Sequence, residues 1–366
     1  MNDLLYKVAL TKIPLVGAVT AKVLVSYCGG AREVFEAKKT DLLKIPNVGE
    51  AIATNILDKK VLEDAEQELR FIEENGIRPL FYLHKDFPQR LRNLSDAPIM
   101  LYYRGPADLN HRRTIGIIGT RTPTPHGLSI CEELVDGLLS YKPLIISGLA
   151  YGVDVAAHKK SLELGLETAA VLGHGLARIY PAQHKKVAME MAERGGLVTE
   201  FASHVGPERE NFPMRNRIVA GLCDAIIVVE TALKGGSIIT VQQANGYSRD
   251  VFAVPGRVKD KFSQGCNYLI KKSMATLIES AEDAMAILRW SRDDNGQSAP
   301  VQAKLFEELT DAEKLVVDTI QSAEEIGVDE LSYATKIAQG ELASWLLSLE
   351  FKGIVRSLPG KRYVLC

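Results

Sequence analysis

One short segment of the chain combines cationic side chains with an aromatic ring. It runs from Asn211 to Leu222 and reads NFPMRNRIVAGL. Pro213 can open a helix because the first helical position needs no backbone N–H. Arg215, Asn216 and Arg217 then occupy the first turns of that helix. Phe212 offers a face on which a nucleobase can stack, a contact of about 1–3 kcal/mol per base in single-strand binders.

The placement of these cations needs a partner. Exposed positive charge at a helix N-terminus is unfavourable by roughly 0.3–1 kcal/mol per residue. An anionic ligand would compensate the cost, and the segment therefore predicts an anion-binding surface. A second interpretation stays open for each arginine, namely an ion pair with Glu200 or Glu230 inside the protein.

The surrounding elements follow an α/β pattern. Short apolar, β-branched runs occur at 114–118, 144–146, 168–172, 197–199, 225–229 and 251–254. Stretches long enough for helices separate them, as at 126–141, 150–165 and 183–195. Near-continuous apolar strands that alternate with helices predict a Rossmann-like, doubly wound parallel sheet covered on both faces. Ligands of such sheets bind beyond the carboxyl ends of the strands.

Small residues follow most of these predicted strands. The clearest groups are Gly119-Thr120-Arg121, Ser147-Gly148 and Gly235-Gly236-Ser237. Glycine lets backbone N–H groups approach a phosphate closely. The last group stands just before a helical run, which predicts an anion-binding turn with Ser237 as the N-cap. Each group alone also fits a simple tight turn, but their convergence on one edge favours a shared site.

Other chemistries lack the residues they need. Gly116-Ile117-Ile118-Gly119 does not satisfy the dinucleotide-binding pattern GxGxxG, and no P-loop sequence occurs. His158, His174 and His184 are not spaced as zinc ligands. No serine lies in a GxSxG nucleophile context. We therefore predict no catalytic set, no metal and no cofactor.

The first domain, predicted at 1–75, contains an internal repeat. Ile13-Pro-Leu-Val-Gly17 recurs as Ile45-Pro-Asn-Val-Gly49, and a helical pattern follows each copy. Proline before a tight glycine turn between helices resembles a helix-hairpin-helix or SAM-like domain. Such hairpins can present backbone N–H groups to a phosphate, although a purely structural helical module explains the pattern equally well.

The remaining domain boundaries follow from composition. Residues 76–110 read as an extended connector into the α/β domain, which is predicted to span 76–288. A polar segment at 289–304 reads as a linker. Residues 305–366 predict a winged-helix-like domain, because a capping box at Thr310 and Glu313 opens three helical patterns and a hairpin. Its third helix carries Glu341 and Glu350 rather than base-reading arginines, which favours a role in protein interaction or an auxiliary role.

Bulk composition limits the classes of partner. The 366 residues carry a net charge of −2, so a nucleic-acid ligand would need a local basic patch. The five cysteines are scattered without a CxxC pair, which is typical of a reducing compartment. The sequence contains no run of 18 apolar residues, so it predicts no membrane-spanning helix. We expect a cytoplasmic protein.

The ordered motifs resemble one family. IIGTR, IISGLAYGVDVAAH, AVLGHGLARIYP, FPMRNRIVAGL, IIVVE, GGSIIT, VFAVPG and GCNYLI follow one another along 117–270. In this order they are similar to the DNA-processing protein A (DprA/Smf) family. The resemblance implies a non-enzymatic protein that binds and protects incoming single-stranded DNA, loads the RecA recombinase during natural transformation, and works as a homodimer.

The resemblance also implies site residues. The predicted single-stranded-DNA-binding set is Gly119, Thr120, Arg121, Ser147, Gly148, Lys185, Phe212, Arg215, Asn216, Arg217, Gly235, Gly236, Ser237 and Asn267. The chain departs from the family pattern at Tyr151 and Ala182, where basic residues are common. Both departures remove a cation.

Two alternatives come from other functional classes. Glu230 followed by Gly235-Gly236-Ser237 is somewhat similar to the nucleotide loop of phosphoribohydrolases, in which a glutamate would stabilise a ribosyl cation. The second alternative is a protein-interaction scaffold whose pocket has no ligand.

Overall fold

The computed structural model describes residues 3–292, 309–323, 326–352, 354–358 and 362–365. The chain divides into two compact units, Met1–Asp293 and Asp294–Cys366. Most of the predicted linker at 289–304 and the first residues of the predicted C-terminal domain lie outside the described residues. The other predicted domain boundaries stay predictions.

The first unit begins with helices. They are α1 (Asp3–Leu10), α2 (Ala18–Cys28), α3 (Ala31–Glu36), α4 (Lys39–Leu42), α5 (Glu50–Ile56) and α6 (Lys59–Glu74). The repeated glycines, Gly17 and Gly49, are the N-caps of α2 and α5. Asp58 caps α6 by accepting a hydrogen bond of 3.0 Å from the N–H of Lys60. We call α1 to α6 the helical module.

A nine-stranded sheet follows. Its strands are β1 (Arg78–Phe81), β2 (Met100–Arg104), β3 (Thr114–Ile118), β4 (Leu144–Ser147), β5 (Thr168–Val171), β6 (Gly196–Thr199), β7 (Ala225–Val228), β8 (Asp250–Ala253) and β9 (Thr276–Leu277). Their spatial order is β1-β2-β6-β5-β4-β3-β7-β8-β9. In this spatial order, every neighbouring pair from β6 through β5, β4, β3, β7 and β8 to β9 is parallel. This arrangement confirms the doubly wound α/β prediction.

The segment 76–110 differs from the expected connector. Its strands β1 and β2 pair antiparallel, and β2 pairs antiparallel with β6, so the segment extends the sheet. Pro79 obscured this in the sequence, because a proline argues against a central strand. It is tolerated here since β1 is an edge strand. Tyr102 and Tyr103 of β2 are each 1% exposed.

Helices cover both faces of the sheet. They are α7 (Gln89–Arg92), α8 (Pro125–Leu138), α9 (Val153–Leu164), α10 (Lys185–Arg194), α11 (Asn211–Leu222), α12 (Gly236–Gly246), α13 (Ser263–Lys271) and α14 (Ala281–Leu288). One core packs α11, α12 and α13 against the strands. A second core packs α8, α9 and α14. The apolar end of α11, from Ile218 to Leu222, is buried in the first core.

The second unit has a winged-helix fold. It contains α15 (Asp311–Ala323), β10 (Ile326–Gly327), α16 (Val328–Thr335), α17 (Gln339–Phe351), β11 (Val355–Leu358) and β12 (Arg362–Leu365). The three strands form one sheet in the order β10-β12-β11. The expected capping box is formed, because the N–H of Glu313 donates to Thr310 Oγ1 at 3.2 Å and its carboxylate accepts from the N–H of Thr310 at 2.9 Å. The predicted turn at Pro359-Gly360 lies outside the described residues.

Within the described ranges, no helix combines the length and the apolar composition that a membrane span requires.

Candidate nucleic-acid interface

A groove of about 770 Å³ lies beyond the carboxyl ends of β3, β4 and β7. The strand order reverses between β3 and β7, and ligands of open α/β sheets bind at such a switch point. Ten predicted residues line the groove, namely Gly119, Thr120, Arg121, Gly148, Phe212, Arg215, Asn216, Gly235, Gly236 and Ser237. The fold therefore brings three separate motifs to one surface, which we call the groove.

Phe212 and Arg121 form the exposed wall of the groove. The guanidinium carbon of Arg121 lies 5.4 Å from the centroid of the Phe212 ring, within cation–π range. Tyr180 extends the aromatic surface, with its ring centroid 6.1 Å from that of Phe212. Gly173 makes room for this arrangement, because a Cβ there would sit 3.0 Å from Phe212 Cδ1. The wall offers a cation and two ring faces side by side.

Arg215 lies beneath the groove instead of projecting into solvent. Its residue is 4% exposed, and its guanidinium donates to the carbonyl oxygens of Gly148, at 2.6 Å, and of Val171. Burial lowers the pKa of Arg215 to about 10, while the carboxylate of Asp154 opposes the change. The group remains a cation at neutral pH, and it fixes the loop after β4. A Cβ on Gly148 would lie 2.4 Å from this guanidinium, so a larger residue there would displace Arg215 from its buried position.

Arg217 points away from the groove. It forms an ion pair with Glu200 and donates to the carbonyl oxygen of Asp96 at 2.6 Å. Burial raises the pKa of Glu200, and the positive charge of Arg217 opposes that rise. The ion-pair interpretation left open above thus describes Arg217. Its predicted contact with DNA has no geometric support, because its side chain does not line the groove and is held by Glu200 and Asp96 inside the protein.

The turn before α12 forms the opposite wall. Gly235 is the N-cap of this helix, so the prediction of Ser237 as N-cap was wrong by two residues. A Cβ on Gly235 would lie 2.3 Å from Thr231 Oγ1. Ser237 is 7% exposed and lines the groove, and no hydrogen bond of its hydroxyl occurs among the described residues. The first N–H groups of α12 and this hydroxyl are donors of the kind that bind anions at helix N-termini.

Three further predicted residues do not line the groove. Ser147 is buried and donates from its hydroxyl to the carbonyl of Ile117 at 2.6 Å. Asn267 exchanges hydrogen bonds with the backbone of Gly256 at 3.2 and 2.8 Å. Lys185 is exposed at the start of α10. The first two side chains hold loops in place, and their hydrogen-bonding groups serve the fold.

Several groove residues were missed by the sequence reasoning. They are Ala150, Asp154, Tyr180, Pro207, Arg209, Thr231, Lys261 and Phe262, among others. Arg209 and Lys261 are exposed cations that add to Arg121. Arg209 stands two residues before the segment singled out above, so its charge was a usable signal. Lys261 gave no signal, because it reaches the groove from the loop before α13.

Glu230 does not face the groove as a reactive carboxylate. Its Oε2 accepts from the N–H of Thr124 at 2.9 Å, and its Oε1 accepts from the Thr124 hydroxyl at 2.6 Å. Thr124 in turn caps α8. The carboxylate that the phosphoribohydrolase alternative would use is therefore engaged in holding a helix start.

Tyr151 stands at a position where the sequence comparison above expects a basic residue. Its hydroxyl donates to Gln183 at 2.7 Å, and its ring packs edge-on against His184 with centroids 5.0 Å apart. Within the described residues, no group of three His, Cys, Asp or Glu side chains is placed to hold a metal ion.

Comparison with known proteins decides the family. The protein-family model described as DNA recombination-mediator protein A matches residues 78–289. A second family model, described as DprA winged helix domain, matches residues 300–361. The chain belongs to the DprA/Smf family. Its relatives include the protein Smf of Synechocystis, 29% identical over 98% of each chain, and the protein Smf of Escherichia coli, 34% identical over 72% of this chain and 73% of the relative.

Two solved structures of DNA processing protein A have a fold similar to that of this chain. DNA processing protein A of Streptococcus pneumoniae superimposes with a TM-score of 0.64 and 29% identity, covering 78% of this chain and 98% of that one. The Helicobacter pylori protein has a TM-score of 0.53 and 30% identity, covering 58% of this chain and 95% of that one. The latter is described as having a unique single-stranded DNA binding mode. Family membership supports a role in DNA processing.

Proposed function

We propose that this chain binds single-stranded DNA in the groove and acts as a non-enzymatic recombination mediator. The observation that carries the proposal is the pairing of two kinds of wall. One wall presents Arg121 beside the rings of Phe212 and Tyr180, and the other presents the N-terminus of α12. Phosphates bind cations and helix N-termini, and bases stack on aromatic rings.

The charge distribution fits a local track for the DNA backbone. The whole chain has a net charge of −2, yet Arg121, Arg209 and Lys261 converge on the groove. Within the described residues, no carboxylate forms an ion pair with any of these three side chains. They remain available for phosphates, whose neutralisation releases counterions.

The wider role rests on family membership. In this proposal the chain protects incoming single-stranded DNA and loads RecA onto it during natural transformation, and it works in the cytoplasm as a homodimer. Light scattering tests the dimer. Filament formation by RecA on oligonucleotides coated with single-strand-binding protein, with and without this protein, tests the loading.

Titration of fluorescent oligo-dT at several salt concentrations tests binding. We expect affinity to rise with oligonucleotide length, and log K to fall linearly with log salt at a slope near −0.7 per phosphate contact. Mononucleotides should bind weakly and remain intact after prolonged incubation. Tight binding or cleavage of mononucleotides, without binding of oligo-dT, would reject the proposal in favour of a nucleotide-processing enzyme.

A further inference from the structure

The helical module contacts the loop that leads into the groove. This loop spans 200–210, between β6 and α11, and it carries the groove residues Pro207 and Arg209. It leads directly into Phe212. Any group that fixes the start of this loop also limits where the cation and the ring can lie.

Glu68 of α6 is such a group. It is a charged residue only 4% exposed, and its Oε1 accepts hydrogen bonds from both the backbone N–H of Ser203, at 2.8 Å, and the Ser203 hydroxyl. Its other oxygen accepts from Lys12 Nζ at 2.7 Å. A buried carboxylate needs its partners, because an unpaired charge away from water is strongly unfavourable. Glu68 therefore binds Ser203 tightly to the helical module.

Neighbouring contacts reinforce the same attachment. The ring of Phe71, one helical turn after Glu68, packs edge-on against His204 with centroids 5.2 Å apart. On the opposite side, the carbonyl of Ser203 accepts from the N–H of Ala177 at 2.9 Å. The loop start is thus held between α6 and the segment that leads to Tyr180.

We propose that Glu68 is a positioning residue for DNA binding, acting through Ser203 to hold the loop that places Arg209 and Phe212. The inference rests on the proposed function of the groove. It assigns the helical module a part in DNA binding that requires no contact between that module and DNA. Glu68 itself touches no ligand in this account.

The test compares Glu68→Gln and Ser203→Ala in the full-length chain with a matched control. Ser203→Ala keeps the ion pair of Glu68 with Lys12, so it removes only the hydroxyl contact. Thr11→Val is the control, because it removes a different contact between the module and the sheet, the 3.3 Å hydrogen bond of Thr11 Oγ1 with the Tyr102 hydroxyl. All variants are measured for oligo-dT affinity at several salt concentrations and for hydrogen exchange over 203–211.

We expect Glu68→Gln to weaken oligo-dT binding about tenfold, the effect of disturbing a hydrogen bond to a charged group, and Ser203→Ala to weaken it by a smaller factor. The slope of log K against log salt should stay at the wild-type value, because no phosphate contact is removed. Exchange should rise over 203–211. Thr11→Val should leave affinity and this exchange unchanged.

The outcomes separate the two claims. If wild-type protein binds oligo-dT, and Glu68→Gln and Ser203→Ala both bind it with the wild-type affinity, the inference is wrong. Glu68 then serves only to attach the helical module. A lower salt slope in these variants would also contradict it, because Glu68 would then affect phosphate contacts directly. If wild-type protein does not bind oligo-dT, the proposed function fails, and this inference fails with it.

Discussion

At the residue scale, Arg121 and the two arginines of the segment 211–222 have different tasks. Arg121 is exposed beside Phe212, Arg215 is buried beneath the loop after β4, and Arg217 is paired with Glu200. Sequence alone gives each the same charge. The difference arises from carbonyl and carboxylate partners on strands and loops far along the chain.

Arg121→Ala should weaken oligo-dT binding and lower the magnitude of its salt slope by about 0.7, the contribution of one phosphate contact on a single strand. The physical reason is the loss of an exposed cation from the groove wall. Affinity titrations across salt concentrations measure both effects. Unchanged slope and affinity would show that the DNA backbone does not pass Arg121.

Arg217→Met, in contrast to Arg121→Ala, should lower the folding stability and leave the salt dependence of DNA binding unchanged. It leaves the partly buried Glu200 without its cation, and breaking a buried ion pair costs about 3–5 kcal/mol of folding free energy. Since both side chains keep some exposure to water, we expect the lower end of that range. Denaturant unfolding measures the loss, and the folded variant should retain the wild-type salt slope. Normal stability with a reduced slope would return Arg217 to the DNA-binding set.

His158 makes the protein sensitive to acid. Its imidazole is buried, with Nδ1 donating to Thr168 Oγ1 at 2.6 Å, and burial lowers its pKa from 6.5 to about 3. A depressed histidine pKa means that the unfolded chain binds the proton more readily. Stability is therefore complete above the unfolded pKa and falls as pH drops from about 6.5 towards 3, by roughly 1 kcal/mol per pH unit.

Denaturant unfolding between pH 7.5 and pH 5 measures this slope. His158→Gln keeps a hydrogen-bonding group and cannot titrate, so its stability should decline less steeply than that of the wild type. Parallel curves for the two proteins would exclude His158 as the source.

At the element scale, the groove depends on how α12 begins. Gly236 is exposed at the first turn of this helix, and a Cβ there would meet nothing within 4 Å. Substitution is therefore compatible with the fold. A substitution at Gly236 can therefore change the stability of α12 and the binding of an anionic ligand in opposite directions.

Gly236→Asp should stabilise the helix and weaken DNA binding. A carboxylate in the first turn favours α12 by about 0.3–1 kcal/mol, while it repels phosphates in the groove. Gly246→Asp adds the same charge at the other end of α12 and should leave oligo-dT binding near the wild-type value. Thermal unfolding and oligo-dT titration measure the two effects. Equal binding by the two variants would place the DNA backbone elsewhere.

Much of this arrangement could be predicted from the sequence. Glycines after apolar runs identified the strand ends, and Phe212 identified the aromatic wall. In 76–110, β1 was missed because Pro79 weakens a strand pattern unless the strand lies at an edge, and β2 was assigned to the same extended connector. Lys261 was missed because only the folded loop before α13 brings it to the groove.

At the scale of the whole molecule, the first unit carries the proposed DNA site, and we expect the winged helix to have another task. The exposed positions of α17 include Glu341 and Glu350, which disfavour contact with a phosphate backbone. In addition, Lys352 is paired with Glu313 at 2.8 Å, and hydrogen bonds from Lys352, Thr310 and Ser348 lower the pKa of Glu313 to about 2.

Removal of residues 294–366 should therefore leave oligo-dT affinity within about twofold of the full chain, since all of the proposed phosphate contacts, and the counterion release they would cause, lie in the first unit. Titration of both forms at equal salt measures this. A loss of tenfold or more, with a smaller salt slope, would assign DNA contacts to the winged helix.

The central claim is that single-stranded DNA follows the groove between α11 and the start of α12. A crystal structure of the full chain with oligo-dT tests it most directly. We predict one phosphate at the Gly235–Ser237 turn, another beside Arg121, and a base stacked on Phe212. An oligonucleotide bound at the helical module or the winged helix, with the groove empty, would contradict the account.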